Sequence, residues 1–402
     1  MKYTILNLVF MLLIAINCFA QPDLTQKNRF KGSARVSASA AAVNGFGYII
    51  GGFDSTGSKN DVWCYKPATD EWEQKQNFPG GARYGAVCVS KGNKLFYGTG
   101  LKSGNVFSKD FWEYNTDSDS WTQKADFPGA GRAYAVAFTI QNKIYLGTGT
   151  NGTGRYNDFW EYNPDSNTWR QKLAFAGLRR SNAVGFAIDN YGYVGTGTNG
   201  NQEYSDFFRF NPDSNTWTQI ASIGAGGRTG ATCFNIGNTA FIGLGVGDVI
   251  GKELLYYNQN KNTWHSLPAF QNLSSIGSVS FGIGNKAYVG IGSDTLFAAL
   301  LSTFYEYNPS VVGVESHELA KSIKICPNPN NGSFQIDSET ENLSDYNIEV
   351  LNHLGQIVYE LGTQKDLLHH SLDIQMDSPN AGIYFVRISN ANSFNMIKFI
   401  VW

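Results

Sequence analysis

The sequence predicts an all-β chain: a six-bladed β-propeller over residues 21–310, then a small β-sandwich of about seven short strands over 321–402. Three observations carry this. Tryptophan recurs at Trp72, Trp121, Trp169, Trp217 and Trp264, with gaps of 49, 48, 48 and 47. Each interval holds four strand-like runs separated by turns rich in Gly, Asn, Asp and Pro. Glycine is high (44 of 402 residues) and aromatics reach 14%, while charged residues are only 16%. That balance suits short strands joined by tight turns and excludes a disordered chain. Lys and Arg number 31 against 33 Asp and Glu, a net charge of −2. There is no basic surplus of the kind nucleic acid or an anionic membrane surface would require.

Residues 1–20 read as a secretory signal peptide. Lys2 precedes an apolar run from Ile5 to Ile16, and Cys18-Phe19-Ala20 supplies a small-x-small site with cleavage expected after Ala20. The run is too short for a membrane span. In a lipoprotein reading Cys18 would carry the lipid, and Asn17 before it fits that poorly. Cleavage leaves Cys64, Cys88, Cys233 and Cys326. Export permits disulfides, but the spacing shows neither a disulfide framework nor a CxxC pair, so buried free thiols are expected.

The repeat has further fixed positions. Seven residues before each Trp stands an aromatic: Tyr65, Tyr114, Tyr162, Phe210, Tyr257. Eleven residues after each Trp come Arg83, Arg132, Arg180, Arg228 and then Ser275; seventeen further on lie Gly100, Gly149, Gly197, Gly245 and Gly292. Arg35 and Gly52 keep the same interval. In the third copy the strand-like runs are Ala133–Thr139, Lys143–Gly147, Phe159–Tyr162 and Trp169–Lys172. A period near 48 with four strands per unit is a propeller blade. The sixth copy has Val314 where its Trp is due, but Leu24-Thr25-Gln26-Lys27 matches Trp121-Thr122-Gln123-Lys124, and Leu24 stands eleven residues before Arg35. The mature N-terminus should therefore supply the outermost strand of the last blade and leave no open edge.

The paired glycines, the Tyr-x6-Trp element and the Arg at the first strand together resemble the kelch repeat. Only Gly51-Gly52 is a true diglycine; other copies read Gly-x-Gly, as in Gly98-Thr99-Gly100.

Arg35, Arg83, Arg132, Arg180 and Arg228 could form an anion-binding ring or could tie each blade to itself. At the start of the third strand stand Asp61, Asp110, Asp158, Asp206 and Glu253, and the sixth copy has about Thr303 there. The copy that lost its Arg (Ser275) lost its acid too, which favours Arg–carboxylate pairs within blades. The small row Ala40, Cys88, Ala137, Gly185, Cys233 and Ser280 suits strands crowding at the axis.

The loops between strands two and three are the longest and most varied: Lys102–Ser108, Asn151–Tyr156, Asn199–Tyr204 and Gly247–Gly251. The kelch resemblance implies a partner or ligand at the mouth they line. Tyr134 and Asn182 are the most ligand-like side chains there, since Ser37, Gly85, Gly230 and Gly277 hold the same place in other copies and leave room. Arg155, Tyr156, Arg179 and Glu203 stand by to add contacts. Gly147-x-Gly149-x-x-Gly152 and Gly195-x-Gly197-x-x-Gly200 match a dinucleotide fingerprint as text, but no helix-forming segment follows. Copper radical oxidases need convergent imidazoles, and the propeller region has only His265. Turns such as Asp165-Ser166-Asn167 read as turn chemistry. No cofactor and no metal is expected.

After Pro309 the composition shifts. Residues 311–320 read as a linker. Ile323–Phe334, with Pro327-Asn328-Pro329 and Gly332, then Leu354-Gly355 and Gly382-Ile383-Tyr384, make alternating strands of an immunoglobulin-like sandwich. These elements, in order, resemble the type A C-terminal sorting domain of the type IX secretion system of Bacteroidota; Cys326 replaces the usual aromatic. The resemblance implies signal-peptide export to the periplasm, passage across the outer membrane with the type IX machinery as partner, removal of this domain, and release or surface attachment. His317, His353, His369 and His370 show no metal-site spacing. The function expected is a secreted or cell-surface kelch-type propeller that binds a glycan or protein. The alternatives are a carbohydrate-active enzyme resembling a sialic-acid mutarotase and a purely structural surface protein.

Overall fold

Hydrophobic alternation builds each blade from the axis outwards. In the third copy Val136, Phe138 and Ile140 of the first strand are buried and alternate with half-buried neighbours. Strand two is buried from Ile144 to Gly147, on both faces, because it lies between two neighbouring blades. The outermost strand, Thr168–Lys172, is mostly polar and exposed. The structure, a computed structural model, describes residues 23–224, 226–247, 253–267, 275–294, 299–309, 323–338, 343, 346–352, 356–362, 371–377, 379–389 and 394–402. The signal peptide, the linker, residues 248–251 of the fifth copy's loop, Leu354-Gly355, and His317, His353, His369 and His370 lie outside the described residues.

Two compact units divide between Asn308 and Pro309. In the first, the described residues form six four-stranded antiparallel sheets, one per copy. Their innermost strands pack in one closed cycle: Ser39–Val43, Val87–Lys91, Val136–Ile140, Val184–Ile188, Thr232–Ile236, Val279–Ile283 and back to Ser39–Val43. We number the blades 1 to 6 in that order. The first strand of blade 3 starts at Val136, three residues later than the pattern predicts. Tyr134 takes a left-handed conformation (φ 56°) that interrupts the run, and Ala133 instead bridges Thr150.

Blade 6 is assembled from both ends of this unit. Asp23–Gln26 pairs antiparallel with Leu300–Asn308, Leu24 opposite Tyr307 and Thr25 opposite Glu306. The backbone N–H groups of Lys27 and Phe30 continue the pairing, donating to the Phe304 and Ser302 carbonyls at 2.9 Å.

The repeating Trp explains itself at the outer rim. Each indole packs on the aromatic seven residues earlier, as in Tyr162–Trp169 at 4.8 Å. Its N–H reaches back to the preceding blade: Trp169 Nε1 donates to the Ala125 carbonyl (2.9 Å) and Trp264 Nε1 to that of Ala221 (2.8 Å). The turn between the two aromatics makes a second tie. Asn167, left-handed at φ 53°, accepts from the Ala125 N–H (2.8 Å) and from the Tyr162 hydroxyl (2.8 Å). The Asp165-Ser166-Asn167 turn thus joins blades 2 and 3.

In the second unit, Ile323–Cys326, Ser333–Ser338 and Ser371–Gln375 form one sheet; Ile357–Leu361, Asn347–Asn352, Gly382–Ser389 and Phe394–Val401 form the other. They share one core, with Phe334, Ile336 and Ile374 meeting Ile348, Val386 and Phe399. The Pro-Asn-Pro element has a structural task. Asn328 Oδ1 accepts from the Ile400 N–H (3.0 Å), and the Asn330 backbone exchanges hydrogen bonds with Ile400 and Trp402, so the motif fastens the final strand. All four described cysteines are free; Cys326 is exposed rather than buried, because it sits on the outward phase of its strand.

A chain beginning at Asn28 leaves the outer edge of Leu300–Asn308 unpaired. About four ladder residues at roughly 0.5–1.5 kcal/mol per hydrogen bond are lost. The expected outcome is a melting temperature lower by roughly 5–10 °C, read by calorimetry, together with concentration-dependent aggregation. An unchanged melting temperature would refute the closing role of this strand.

Candidate functional site

The arginine row lies inside the blades. Arg83, Arg132 and Arg180 are fully buried, and Arg35 and Arg228 are 1% exposed. Arg132 shows the full set of contacts. Its Nε donates to the Ala130 carbonyl (3.0 Å) and its Nη1 to the Thr148 carbonyl (2.8 Å). Nη1 and Nη2 grip both oxygens of Asp158 at 2.6 and 2.8 Å. Phe127 and Tyr156 lie against the guanidinium at 4.6 and 4.2 Å. Asp158 also accepts from Trp160 Nε1 (2.9 Å). The same scheme joins Arg35 to Asp61, Arg83 to Asp110 and Arg180 to Asp206. A buried charge is tolerable only when paired and hydrogen-bonded in this way.

Blades 5 and 6 depart from it. Arg228 makes one contact with Glu253, Nη2 to Oε2 at 2.9 Å, and its Nε and Nη1 have no partner among the described residues. The acid is one methylene longer, and Ile223 takes the place of the phenylalanine. In blade 6 the Ser275 hydroxyl donates to the Ile291 carbonyl (3.2 Å), the position that Arg Nη1 serves elsewhere.

Two circles of backbone hydrogen bonds surround the axis on this face. In the wider one, Gly52, Gly100, Gly149, Gly197, Gly245 and Gly292 donate to the carbonyls of Arg83, Arg132, Arg180, Arg228, Ser275 and Arg35, at 2.7 to 3.0 Å. All six glycines have positive φ, and a Cβ on Gly149 would lie 2.9 Å from the Ala133 carbonyl oxygen, so the position requires glycine. In the narrower circle each residue donates to the carbonyl of its equivalent in the preceding blade. Ser37 donates to Gly277, Gly277 to Gly230, Gly230 to Asn182, Asn182 to Tyr134, Tyr134 to Gly85 and Gly85 to Ser37. All six are left-handed, with φ between 54° and 63°.

Below this circle runs a channel cavity of about 220 Å³, lined by Ala40, Cys88, Ala137, Gly185, Cys233 and Ser280 among others. Burial pushes the Cys88 thiol up to about 12 and that of Cys233 to about 11. Both stay protonated at neutral pH and act as small apolar side chains.

The residues expected at the mouth separate into groups. Tyr134 and Asn182 are neighbours in the narrow circle, both half-buried. The Tyr134 ring leans over Gly85, whose added Cβ would lie 3.0 Å from it. Burial holds its hydroxyl pKa above the ordinary 10. The Asn182 side-chain amide has no partner among the described residues. Arg155 reaches across to the next blade's loop, with its guanidinium against Gly200. Tyr156 covers Arg132 and belongs with the blade tie. Arg179 is exposed beside Arg180, and Glu203 is held in its loop by a bridge to Thr198. Phe53 and Tyr84 also stand at this mouth and were not anticipated. The signal was present in the repeat: Phe53 directly follows Gly52 and Tyr84 directly follows Arg83, where other copies carry mostly small or aliphatic residues.

Two regions of the chain match known families. Residues 3–131 and 125–245 match the family described as the KLHDC2/KLHL20/DRC7 Kelch-repeats domain. Residues 324–402 match the secretion system C-terminal sorting domain. No curated protein matches the chain. Among solved structures, the one titled "Structure of YjhT" is similar, at 15% identity and a TM-score of 0.59, over 69% of this chain and 95% of that one. At that identity the likeness concerns the fold alone.

Arg132→Ala strands Asp158 and should cost about 3–5 kcal/mol in a denaturant titration. Arg132→Ser with Asp158→Thr, the blade 6 solution, should cost markedly less, and equal losses would reject the pairing. The pH dependence follows from the same pairs. Burial alone would raise the carboxyls of Asp61 and Asp110; the hydrogen bonds and charge of Arg35 and Arg83 outweigh it and hold both below the ordinary 3.8. A carboxylate held low adds stability above its unfolded pKa and loses it as pH falls through the folded one. Unfolding free energy should therefore keep this contribution at neutral pH and lose it below about pH 4, and Asp110→Asn should flatten that acid limb.

Proposed function

We propose, from the premise that this chain belongs to the kelch-repeat family and ends in a secretion-system sorting domain, that it is a secreted or cell-surface propeller which binds a glycan or protein ligand at the channel mouth. The sorting domain indicates secretion or cell-surface localisation and engagement of the type IX machinery. The route we infer starts with signal-peptide export to the periplasm through residues 1–20 and ends with release or attachment outside the cell.

One observation carries the binding reading. Tyr134 holds a left-handed backbone at a position where three of the six equivalents are glycine, a conformation that costs an L-residue roughly 1–2 kcal/mol. The circle imposes this conformation on all six blades, so a tyrosine kept where glycine would serve at less cost points to a role for its side chain at the cleft. Next to it, Asn182 offers an amide that can both donate and accept. A sugar-converting enzyme resembling a mutarotase needs an acid–base pair facing the channel. The five arginines and carboxylates of the row are instead engaged with one another inside the blades, which supports binding over catalysis. Arg155, Arg179 and Glu203 then serve as peripheral contacts.

Two outcomes are expected. Removal of residues 324–402 should leave the propeller inside the cell envelope, read by fractionation; unimpaired appearance outside would overturn the export route. Tyr134→Gly should unfold within about 1 kcal/mol of the parent, since glycine adopts this φ freely. It should nevertheless lose retention of extracellular polysaccharide and exoprotein fractions on the immobilised full chain. Retention equal to the parent would reject the mouth as the binding site.

A further inference from the structure

We propose that the ligand at this mouth is a carbohydrate, held by an arc of three aromatic rings, Phe53, Tyr84 and Tyr134; the inference rests on the reading of the mouth as the binding face. The rings come from three consecutive blades. Phe53 in blade 1 is 41% exposed. Its ring meets Tyr84 of blade 2 at 5.1 Å with an interplanar angle of 61°. Tyr84 meets Tyr134 of blade 3 at 6.2 Å and 66°. The arc leads from the loop rim to the narrow circle at the axis.

The repeat does not call for these rings. The positions equivalent to Phe53 hold Leu101, Thr150, Thr198, Val246 and Ser293; those equivalent to Tyr84 hold Val36, Ala133, Ser181, Thr229 and Ile276. Neither Phe53, Tyr84 nor Tyr134 belongs to the buried clusters of blades 1 to 3. The three rings pack on one another and over Gly85 rather than into a blade interior, and their convergence on one side of one mouth makes a platform a ligand can cover.

The chemistry selects the class. A pyranose presents a face of C–H bonds, apolar and weakly positive, inside a rim of hydroxyls. An aromatic ring presents an apolar face with negative charge density. Rings set edge to face offer several such platforms at different tilts, which suits successive sugar units better than one flat heterocycle. The hydroxyl rim needs groups that donate and accept together, and the Asn182 amide stands beside Tyr134 to provide both. An extended peptide would instead seek a free strand edge. Here the strands that carry the arc's rim are already paired on both sides: Phe53 with Val36 and with Ser58, and Leu101 with both Tyr84 and Phe107.

The test applies the full chain to an array of neutral and acidic pyranose oligosaccharides, then titrates the best-retained oligosaccharide by calorimetry into the parent, Phe53→Ala, Tyr84→Ala, Phe53→Trp and Asn182→Gly. Circular dichroism checks the fold of each. Phe53→Ala and Tyr84→Ala should each weaken binding roughly tenfold, Phe53→Trp should retain it, and Asn182→Gly should weaken it without loss of fold. If the oligosaccharide binds but both alanine variants bind as the parent does, the aromatic arc is not the platform and the inference falls. If no oligosaccharide is retained while the Tyr134→Gly comparison still shows loss of exoprotein retention, the carbohydrate class is wrong and the mouth still binds. Loss of both would remove the binding reading itself.

Discussion

Six backbone hydrogen bonds close a circle at the channel mouth, from Ser37 through Gly277, Gly230, Asn182, Tyr134 and Gly85 back to Ser37. Each member gives one N–H and one carbonyl, so the circle closes only when every blade is present and correctly rotated. The cost is conformational: all six residues must be left-handed. The benefit is that the N–H and the carbonyl of each of the six members are paired where the strands converge. The rest of the propeller depends on this constraint, because the first strand of each blade can start only once the chain has left the circle.

Around the circle, successive layers hold the blades together with different chemistry. The wider glycine circle again uses backbone only. The arginines tie strands one, two and three of a blade through a buried cation whose donors meet carbonyls and a carboxylate. At the outer rim, Trp indoles and left-handed Asn or Asp side chains bind to the carbonyl and N–H of the previous blade. Losing one layer in one blade is therefore survivable. Blade 6 has Ser275 in place of Arg, yet the Ser275 carbonyl still receives the Gly245 N–H (3.0 Å).

This division of labour frees the mouth for recognition. Since the narrow circle is held by backbone groups, its closure does not itself fix which side chains stand on it. They run Ser, Gly, Tyr, Asn, Gly, Gly around the axis, and the asymmetry gathers on blades 1 to 4, where Phe53, Tyr84, Tyr134 and Asn182 lie. The sorting domain follows an opposite logic. Its motif residues are structural: Asn328 and Asn330 hold the last strand, and Gly332, at φ 97°, lies where a Cβ would meet Pro379 at 2.4 Å.

The sequence alone determined the repeat, the strand count per blade and the partnership of each Arg with its acid, because these recur and covary between copies; the paired loss at Ser275 and Thr303 was readable without coordinates. The N-terminal closing strand was readable for the same reason, since Leu24 keeps the interval of every Trp. Only the tertiary structure decided where side chains from different blades meet. Tyr156 proved to be a lid on Arg132 rather than a free mouth residue, Cys326 faced outwards, and strand one of blade 3 began after Tyr134. The aromatic arc joins residues 31 and 50 positions apart, in copies where nothing repeats them. Periodicity reveals what every blade must share, whereas contacts unique to one arc of the ring depend on how the ring closes, and closure is a property of the whole chain.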